Sequence, residues 1–304
     1  MKKSILVAGG TGNLGGKIVR ALVGNGADVR AIVRASSDPE KVNQLKQLGV
    51  QVIPLDMSDK VALTKACEGV SCVVSALAGL EDVIVDTQKA LLDAAVAAGV
   101  PRFIPSDYSL DFTLLPAGGN RNLDFRRVFR TYIDAAPIAA TSIFNGAFTD
   151  MLTGQMPLVL FNINKILAWG NPDHSMPFTT IADTAVYTAH VALDPSTPRF
   201  LRIAGDQRSA REMQAVASKV TGKAYGLLRP GGLGLLGMII KIARTIAPGK
   251  QELYPAWQGM QYMHNMLDER SVLKEVDNNR YAGMQWTTTT DVLTAYLASN
   301  DKVS

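Results

Sequence analysis

A glycine cluster set between a strand-like run and a helix-like run constrains this chain more than any other stretch. It reads Val7-Ala8-Gly9-Gly10-Thr11-Gly12-Asn13-Leu14-Gly15-Gly16. Before it, Ser4-Ile5-Leu6-Val7-Ala8 is short, apolar and β-prone. After it, Lys17-Ile18-Val19-Arg20-Ala21-Leu22-Val23 repeats apolar residues at helical spacing. A strand that turns through glycines directly into a helix opens a βαβ unit. The glycines fit two registers, Gly10-x-Gly12-x-x-Gly15 and Gly9-x-x-Gly12-x-x-Gly15. In either register one glycine makes the tight turn, Gly12 lets the backbone approach a pyrophosphate, and Gly15 lets helix and strand pack closely. The helix N-terminus adds free N–H groups and the positive end of its dipole. The stretch therefore predicts nucleotide binding through Gly9, Gly10, Thr11, Gly12, Asn13, Leu14 and Gly15.

The following hundred residues repeat a β-α-β-α rhythm. Strands are predicted at 28–33, 50–55, 72–77 and 102–107. A long helix is predicted at 81–98, closed by Gly99, and another at 122–135. Ser58 is expected to cap the helix after the third strand, with Asp59 in its first turn. Such a rhythm implies an α/β fold with a doubly wound parallel sheet. Right-handed crossovers bring all the strand carboxyl ends to one edge, where ligands bind. That edge collects Arg34, Asp56, Leu77, Ala78, Asp107 and Tyr108. NAD-specific sites place an acid after the second strand, whereas an Arg there accommodates a 2′-phosphate. Here Arg34 is followed by Ala35-Ser36-Ser37, and the nearest acid is Asp38. The guanidinium fork matches phosphate oxygens, so NADP(H) is expected in preference to NAD(H).

After a sixth strand at 138–144 the rhythm changes. Short strands at 158–161 and 166–169 look like an excursion into a smaller α+β domain, and 200–204 looks like a return to the main sheet. The expected division is a Rossmann domain at 1–152, with 176–204 returning to its sheet, and a smaller substrate domain at 153–175 and 205–304. Helices are predicted at 181–193, at 209–220 with Ser209 as its cap, at 233–246 and at 254–267. Thr288-x-x-Asp291 reads as a capping box opening a last helix through 298.

Composition narrows the function classes. Of 304 residues, 47% are hydrophobic and 19% charged, which suits packed domains and excludes disorder as the main state. A net charge of +4 without a basic cluster on a reading element does not argue for nucleic acid. Cys67 and Cys72 are the chain's two cysteines, too few for a disulfide framework, and point to a reducing, cytoplasmic setting. His174, His190 and His264 are too scattered for a metal site. Met1-Lys2-Lys3 runs directly into the first strand, so no signal segment is expected. The apolar run 233–246 is interrupted by Gly234, Gly237, Lys241 and Arg244. It is too short and too charged to span a bilayer, and no membrane partner is expected.

Four segments together resemble a known family: Gly9-Gly10-Thr11-Gly12-Asn13-Leu14-Gly15, Phe103-Ile104-Pro105-Ser106-Asp107-Tyr108, Phe144-Asn145-Gly146-Ala147-Phe148, and Phe178-Thr179-Thr180-Ile181-Ala182-Asp183-Thr184-Ala185. In order and spacing the chain resembles the NmrA-like, isoflavone-reductase-like branch of the atypical short-chain dehydrogenases. The resemblance implies a Rossmann domain, a smaller C-terminal substrate domain and NADP(H) in the cleft between them. It implies cofactor contacts at the glycines, Asn13, Leu14, Arg34, Ser36, Asp56, Met57, Leu77, Ala78, Ser106 and Asp107. Asn145 and Gly146 would lie on the nicotinamide side. Asp183 is implied to be structural.

The chain departs from two proton-transfer patterns. None of its eight tyrosines has Lys four residues on, so the Tyr-x-x-x-Lys pair of ordinary short-chain dehydrogenases is absent. The plant reductases of the branch use a Lys at the start of the helix after the fifth strand. This chain reads Leu123-Asp124-Phe125-Arg126-Arg127 there. An Arg stays protonated, so Arg126 can anchor an anion or polarise a carbonyl but cannot act as a base near neutral pH. Tyr108, after the fifth strand, is the candidate proton donor. His174, in a turn, and residues 260–266, rich in Met and aromatics, are weaker candidates for lining a pocket. Two functions are expected: an NADPH-dependent reductase of a small, apolar or aromatic carbonyl, quinone or enone, or a non-catalytic NADP(H) redox sensor acting through a protein partner. The oligomeric state stays open.

Overall fold

The computed structural model describes residues 2–154 and 156–300. Met1, in the expected first domain, and residues 155 and 301–304, in the expected second, lie outside the described residues. The chain opens with β1 (Ser4–Ala8), α1 (Asn13–Gly24), β2 (Asp28–Val33), α2 (Pro39–Gln47), β3 (Gln51–Pro54), α3 (Lys60–Cys67) and β4 (Cys72–Ser75). It continues with α4 (Gln88–Ala97), β5 (Arg102–Ile104), α5 (Arg121–Ala135) and β6 (Ala139–Ala140). The six strands form one sheet in the order β3-β2-β1-β4-β5-β6. Every neighbouring pair is parallel. The sheet is the doubly wound one that the β-α rhythm predicts. Successive strands are added on one side of β1 up to β3 and on the other side from β4 onward, so the switch point lies beyond the paired ends Ala8 and Ser75.

Both faces of this sheet are covered, which is why its central strands, β1 and β4, are buried almost end to end. Leu6, Ala8, Ile32, Val73 and Phe103 pack with Leu63 and Cys67 of α3, Leu91 and Ala95 of α4, and Phe129 and Ile133 of α5. The Phe103 and Phe129 rings lie 6.4 Å apart, a contact worth about 0.5–1.5 kcal/mol beyond its buried area. Elsewhere, Ala31, Val19 of α1 and Leu45 of α2 close around Gly10. Arg102, at the amino end of β5, donates to the carbonyls of Val191 (2.8 Å) and Asp194 and to Thr197 Oγ1 (2.6 Å). It thereby ties the C-terminal end of the helix Ile181–Leu193 beneath the sheet.

Four local differences from the sequence expectation have physical causes. The helix expected at 81–98 is a π-helical stretch, Asp82–Thr87, running into α4. The cap of α3 is Asp59 rather than Ser58. Asp59 Oδ1 accepts from the N–H groups of Val61 (3.1 Å) and Ala62 (3.0 Å), while the Ser58 N–H donates to Asp56 Oδ1 (2.9 Å). The strand expected at 138–144 splits at Thr141. Thr141 N–H still donates to Phe103 of β5, but Ser142 N–H donates to Arg199 on the other side. Ser142–Phe144 consequently pairs with Phe200–Arg202 in a separate ribbon, and 200–204 does not join the six-stranded sheet.

The chain divides into two compact units. One comprises Met1–Tyr108, Asn122–Phe144 and Thr184–Leu201; the other comprises Ser109–Arg121, Asn145–Asp183 and Arg202–Ser304. The second unit holds two small sheets. In one, Lys165–Leu167 lies between Gly226–Leu228 and Val159–Leu160. In the other, Met176–Thr179 lies between Asp206–Arg208 and Ala147–Phe148. Ser209 and Glu212 form a reciprocal capping box at the start of the helix Ala210–Thr221. Thr288 and Asp291 do the same for Thr289–Asn300. Two carboxylates, one buried and one half-buried, seat that last helix: Asp183 accepts from Thr287 N–H (2.8 Å), and Asp206 accepts from Thr289 Oγ1 (2.7 Å). No helix among the described residues is long and apolar enough to cross a membrane.

Candidate active site

The glycine turn lies at the carboxyl end of β1, beside that of β4. Gly9 has φ +85°, and a Cβ there would lie 2.5 Å from the Ala76 carbonyl oxygen. A Cβ on Gly15 would overlap the Gly9 carbonyl. These two glycines are therefore demanded by backbone packing at the β1–α1 turn. Gly12 is different: it is exposed, and its added Cβ would meet only the Gly9 oxygen, at 3.2 Å. It is the N-cap of α1, with no side chain capping the helix and no acid in the first turn. The N–H groups at Asn13, Leu14 and Gly15 thus open the helix without a side chain over them, an arrangement made for an anion. Thr11 and Leu14 are half-buried and Asn13 is exposed at this turn. The Ser75 hydroxyl, at the end of β4, is buried with no hydrogen-bond partner among the described residues. An unbonded buried hydroxyl is costly and is one further polar group a ligand at this edge can satisfy.

Arg34 ends β2 and is exposed. A tight turn holds its backbone: Arg34 N–H donates to Ser37 Oγ (3.1 Å), and Ser37 N–H donates to the Arg34 carbonyl (2.9 Å). The guanidinium makes no hydrogen bond or ion pair among the described residues, and Ser36 stands exposed beside it. At the end of β3, Asp56 is exposed and folds over its own turn. The N–H and hydroxyl of Ser58 hold its carboxyl below the usual carboxylate range. The side chains of Met57 and Leu77 pack against the sheet core, and Ala78 is exposed. The glycine turn, the uncapped helix and the unpaired Arg34 fit a dinucleotide carrying a 2′-phosphate.

The edge beyond β4 and β5 is built around Ser106, only 4% exposed. All its polar groups are engaged. Its N–H donates to Gln88 Oε1 (2.8 Å), its Oγ donates to the Leu77 carbonyl (2.6 Å), and its carbonyl accepts from Arg126 Nε (3.1 Å). Arg126 Nη1 donates to the Asn122 carbonyl (2.9 Å). Two main-chain oxygens thus fix the guanidinium plane, and Nη2 is left with no hydrogen bond among the described residues. Gln88 is fully buried, and its Nε2 donates to the carbonyl of Ile84 in the π-helical stretch (2.9 Å). The sequence analysis did not single out Gln88. Its signal was a polar residue on the apolar spacing Ile84, Gln88, Leu91, Ala95.

Asp107 is buried, and its Oδ2 accepts from Ser142 Oγ (2.6 Å), which in turn accepts from Arg199 Nη1 (2.7 Å). Burial pushes its carboxyl above the usual range, against the opposing pull of Ser142, Arg126 and Arg199. Ser106 and Asp107 were expected to contact the cofactor; both side chains are buried, and their hydrogen bonds hold the edge together. Tyr108, expected as the proton donor, is buried as well. It is 7% exposed, and its hydroxyl makes no hydrogen bond among the described residues. Burial drives its pKa far above the ordinary phenol value, with Thr188 pulling the other way and Cys72 and Asp107 adding to the rise. Thr188 and Cys72 belong to the helix beneath the sheet and to the amino end of β4, away from the carboxyl edge. A phenol held there lacks the access that a proton donor needs.

The remaining candidates separate cleanly. Arg127 pairs with Asp124 (2.7 Å) and Arg130 with Asp134 (3.0 Å), so two of the four arginines of α5 serve the helix surface. Both cysteines are buried, and burial pushes their thiols up to about 12, which leaves them inert. His174 is buried in the second unit, and its Nε2 bonds the Met266 carbonyl (3.0 Å). Asn145 and Gly146 also belong to the second unit. The Asn145 side chain is fully buried, with neither amide atom hydrogen-bonded among the described residues. In the 260–266 stretch, Met263 and Met266 are core. Among the described residues, no group of three metal-ligating side chains comes together.

Comparison with known proteins places this geometry. The model of the NmrA-like family matches residues 1–227. An isoflavone reductase homolog of Zea mays is 31% identical over 238 residues, covering 74% of this chain and 76% of that protein. Pinoresinol reductase 1 of Arabidopsis thaliana is 30% identical over 243 residues, covering 73% and 75%. Among solved structures, that of AtPrR2 with NADP+ and (+)pinoresinol superposes with a TM-score of 0.81 at 25% identity, covering 97% of this chain and 99% of the other.

Proposed function

This chain belongs to the NmrA-like family, and from that premise we propose that it is an NADP(H)-binding oxidoreductase, reducing a small apolar or aromatic carbonyl, quinone or enone. The observation that carries the reading is the Arg126 guanidinium, locked by Ser106 and Asn122 with Nη2 unspent, in the same unit as the uncapped glycine turn. The relatives' names, isoflavone reductase homolog and pinoresinol reductase, support it.

The N–H groups of Asn13, Leu14 and Gly15 bind the pyrophosphate, and Arg34 with Ser36 binds the 2′-phosphate. When bound, NADPH supplies the hydride. Arg126 directs its remaining N–H donors at the substrate oxygen and stabilises the negative charge that develops there. Being permanently charged, it moves no proton. With Tyr108 buried, the proton that completes the reduction comes from water.

A second reading, a redox sensor that binds NADP(H) without turnover, is favoured by the burial of the one tyrosine at the end of β5. Fluorescence titration with NADPH, followed by a panel of quinones, enones and aldehydes monitored at the reduced-nicotinamide absorbance, separates the two. Binding with consumption of NADPH supports the reductase. Binding without consumption across the panel transfers the reading to the sensor, and no binding overturns both.

A further inference from the structure

The helix Leu233–Ile246 of the second unit is apolar on two faces, and the protein covers only one of them. Leu236 and Ile240 are buried. Leu235, Met238, Ile242 and Ile246 are 42%, 57%, 52% and 78% exposed. Spaced three, four and four residues apart, these four form a single stripe, about 16 Å long at the helical rise. Lys241 flanks the stripe one helical step from Ile242. Tyr254, just beyond the helix, is 65% exposed.

Along the chain, the segment that carries the stripe is basic. Between Glu212 and Glu252 the chain carries Lys219, Lys223, Arg229, Lys241, Arg244 and Lys250 and not one acid. Arg244 and Arg121 lie over the same buried indole, Trp257, at 5.4 and 4.8 Å, so two like charges sit side by side behind the helix. An apolar stripe bordered by cations calls for a partner that is apolar in depth and anionic at its surface.

We propose that this helix docks the protein on an anionic phospholipid bilayer, lying in the headgroup region with Leu235, Met238, Ile242 and Ile246 turned into the acyl boundary. Lys241 extends its stem along that boundary and keeps its ammonium among the phosphates. The helix does not cross: its 14 residues span about 21 Å, short of the roughly 30 Å hydrocarbon core. The expectation of no membrane partner considered only spanning, which this mode of binding does not require. A second copy of the chain fits less well. A two-fold contact sets the same patch against itself and would bring the cations flanking one stripe against those of the other at an electrostatic cost.

The test uses the full chain and vesicles of phosphatidylcholine, with or without about a third of phosphatidylglycerol, in a sedimentation assay. Partitioning onto the anionic vesicles is expected to exceed that onto neutral ones by about tenfold and to fall steeply at high salt. Ile242→Glu and Lys241→Glu are each expected to weaken it severalfold while leaving NADPH affinity unchanged, which also shows that the variants are folded. No partitioning, or equal partitioning onto neutral and anionic vesicles, overturns the proposal. So does a concentration-dependent dimer abolished by Ile242→Glu in protein that does not bind vesicles; that result assigns the stripe to a second copy.

Discussion

The glycine turn after β1 and the edge beyond β4 and β5 stand in the same unit and are built on opposite principles. The turn is made of backbone. Its capacity to bind an anion comes from missing side chains, and its residues are contiguous. The β4–β5 edge is made of residues drawn from distant positions, the side chains of Gln88 from α4 and Arg126 from α5 meeting the main chain of Ser106, after β5, and of Asn122. Each acts by holding the next. A site built from one turn tolerates change around it and fails abruptly when a Cβ enters it. A site built as a chain of hydrogen bonds degrades by degrees.

The sharpest way to break this contrast is Gly12→Val. The added side chain occupies the open mouth of the turn without meeting the sheet, so NADPH affinity is expected to fall by about 100-fold or more, while thermal unfolding shifts by only a few degrees. A large loss of stability would show that Gly12, like Gly9 and Gly15, is demanded by packing. Arg34→Asp comes next. Replacing the guanidinium with a carboxylate should weaken NADPH binding by roughly 30–100-fold, with NADH affected less than about threefold; equal losses would remove Arg34 from the 2′-phosphate.

At the second region, Arg126→Met is expected to lower kcat on any accepted substrate by about 10–100-fold at nearly unchanged NADPH affinity. A parallel loss of NADPH affinity would move Arg126 to the cofactor instead. Asp107→Asn probes the edge through pH. Because burial raises the Asp107 pKa in the folded state, its contribution to stability is complete below the unfolded value and is lost as pH rises through the folded value. Asn keeps an acceptor for Ser142 and cannot ionise. The melting temperature of the variant relative to the parent should therefore climb between acid and neutral pH; a flat difference would show that Asp107 does not titrate in that window. The smallest effect is expected from Tyr108→Phe. It removes a buried hydroxyl that has no hydrogen bond among the described residues, so stability should change by less than about 1 kcal/mol and turnover by less than about twofold. A marked drop in turnover would return Tyr108 to the proton-donor role.

Arg126, Arg127 and Arg130 show why one region was legible and the other was not. On a helix wheel all three belong to an ordinary charged face. Arg127 and Arg130 meet partners three and four residues away, at distances local spacing predicts. Arg126 instead reaches Ser106, twenty residues back, because α5 packs beside the end of β5. Nothing in the local pattern distinguishes the three. Tyr108 fails for the complementary reason. The strand expected at 102–107 ends at Ile104, so Tyr108 lies four residues past it, and which way a side chain turns after a strand ends depends on what surrounds it, here Thr188 and the amino end of β4. The π-helical stretch before Gln88 was likewise hidden, since its residues carry the same apolar period as an α-helix.

Local sequence was enough to specify the six-stranded doubly wound sheet, the glycine turn at the switch point and Arg34 at the end of β2. Each follows from contiguous residues: apolar runs of strand length, glycines at fixed offsets, and one charge at the end of a strand. Tertiary structure alone decided that Ser106, Asp107 and Tyr108 are buried, that Gln88 and Ser106 aim Arg126, and that one apolar face of the helix Leu233–Ile246 is left uncovered. Hydrogen bonds between residues far apart in the chain, and the choice of which apolar face meets a neighbour, are set by how whole elements pack, and short-range spacing carries no record of that.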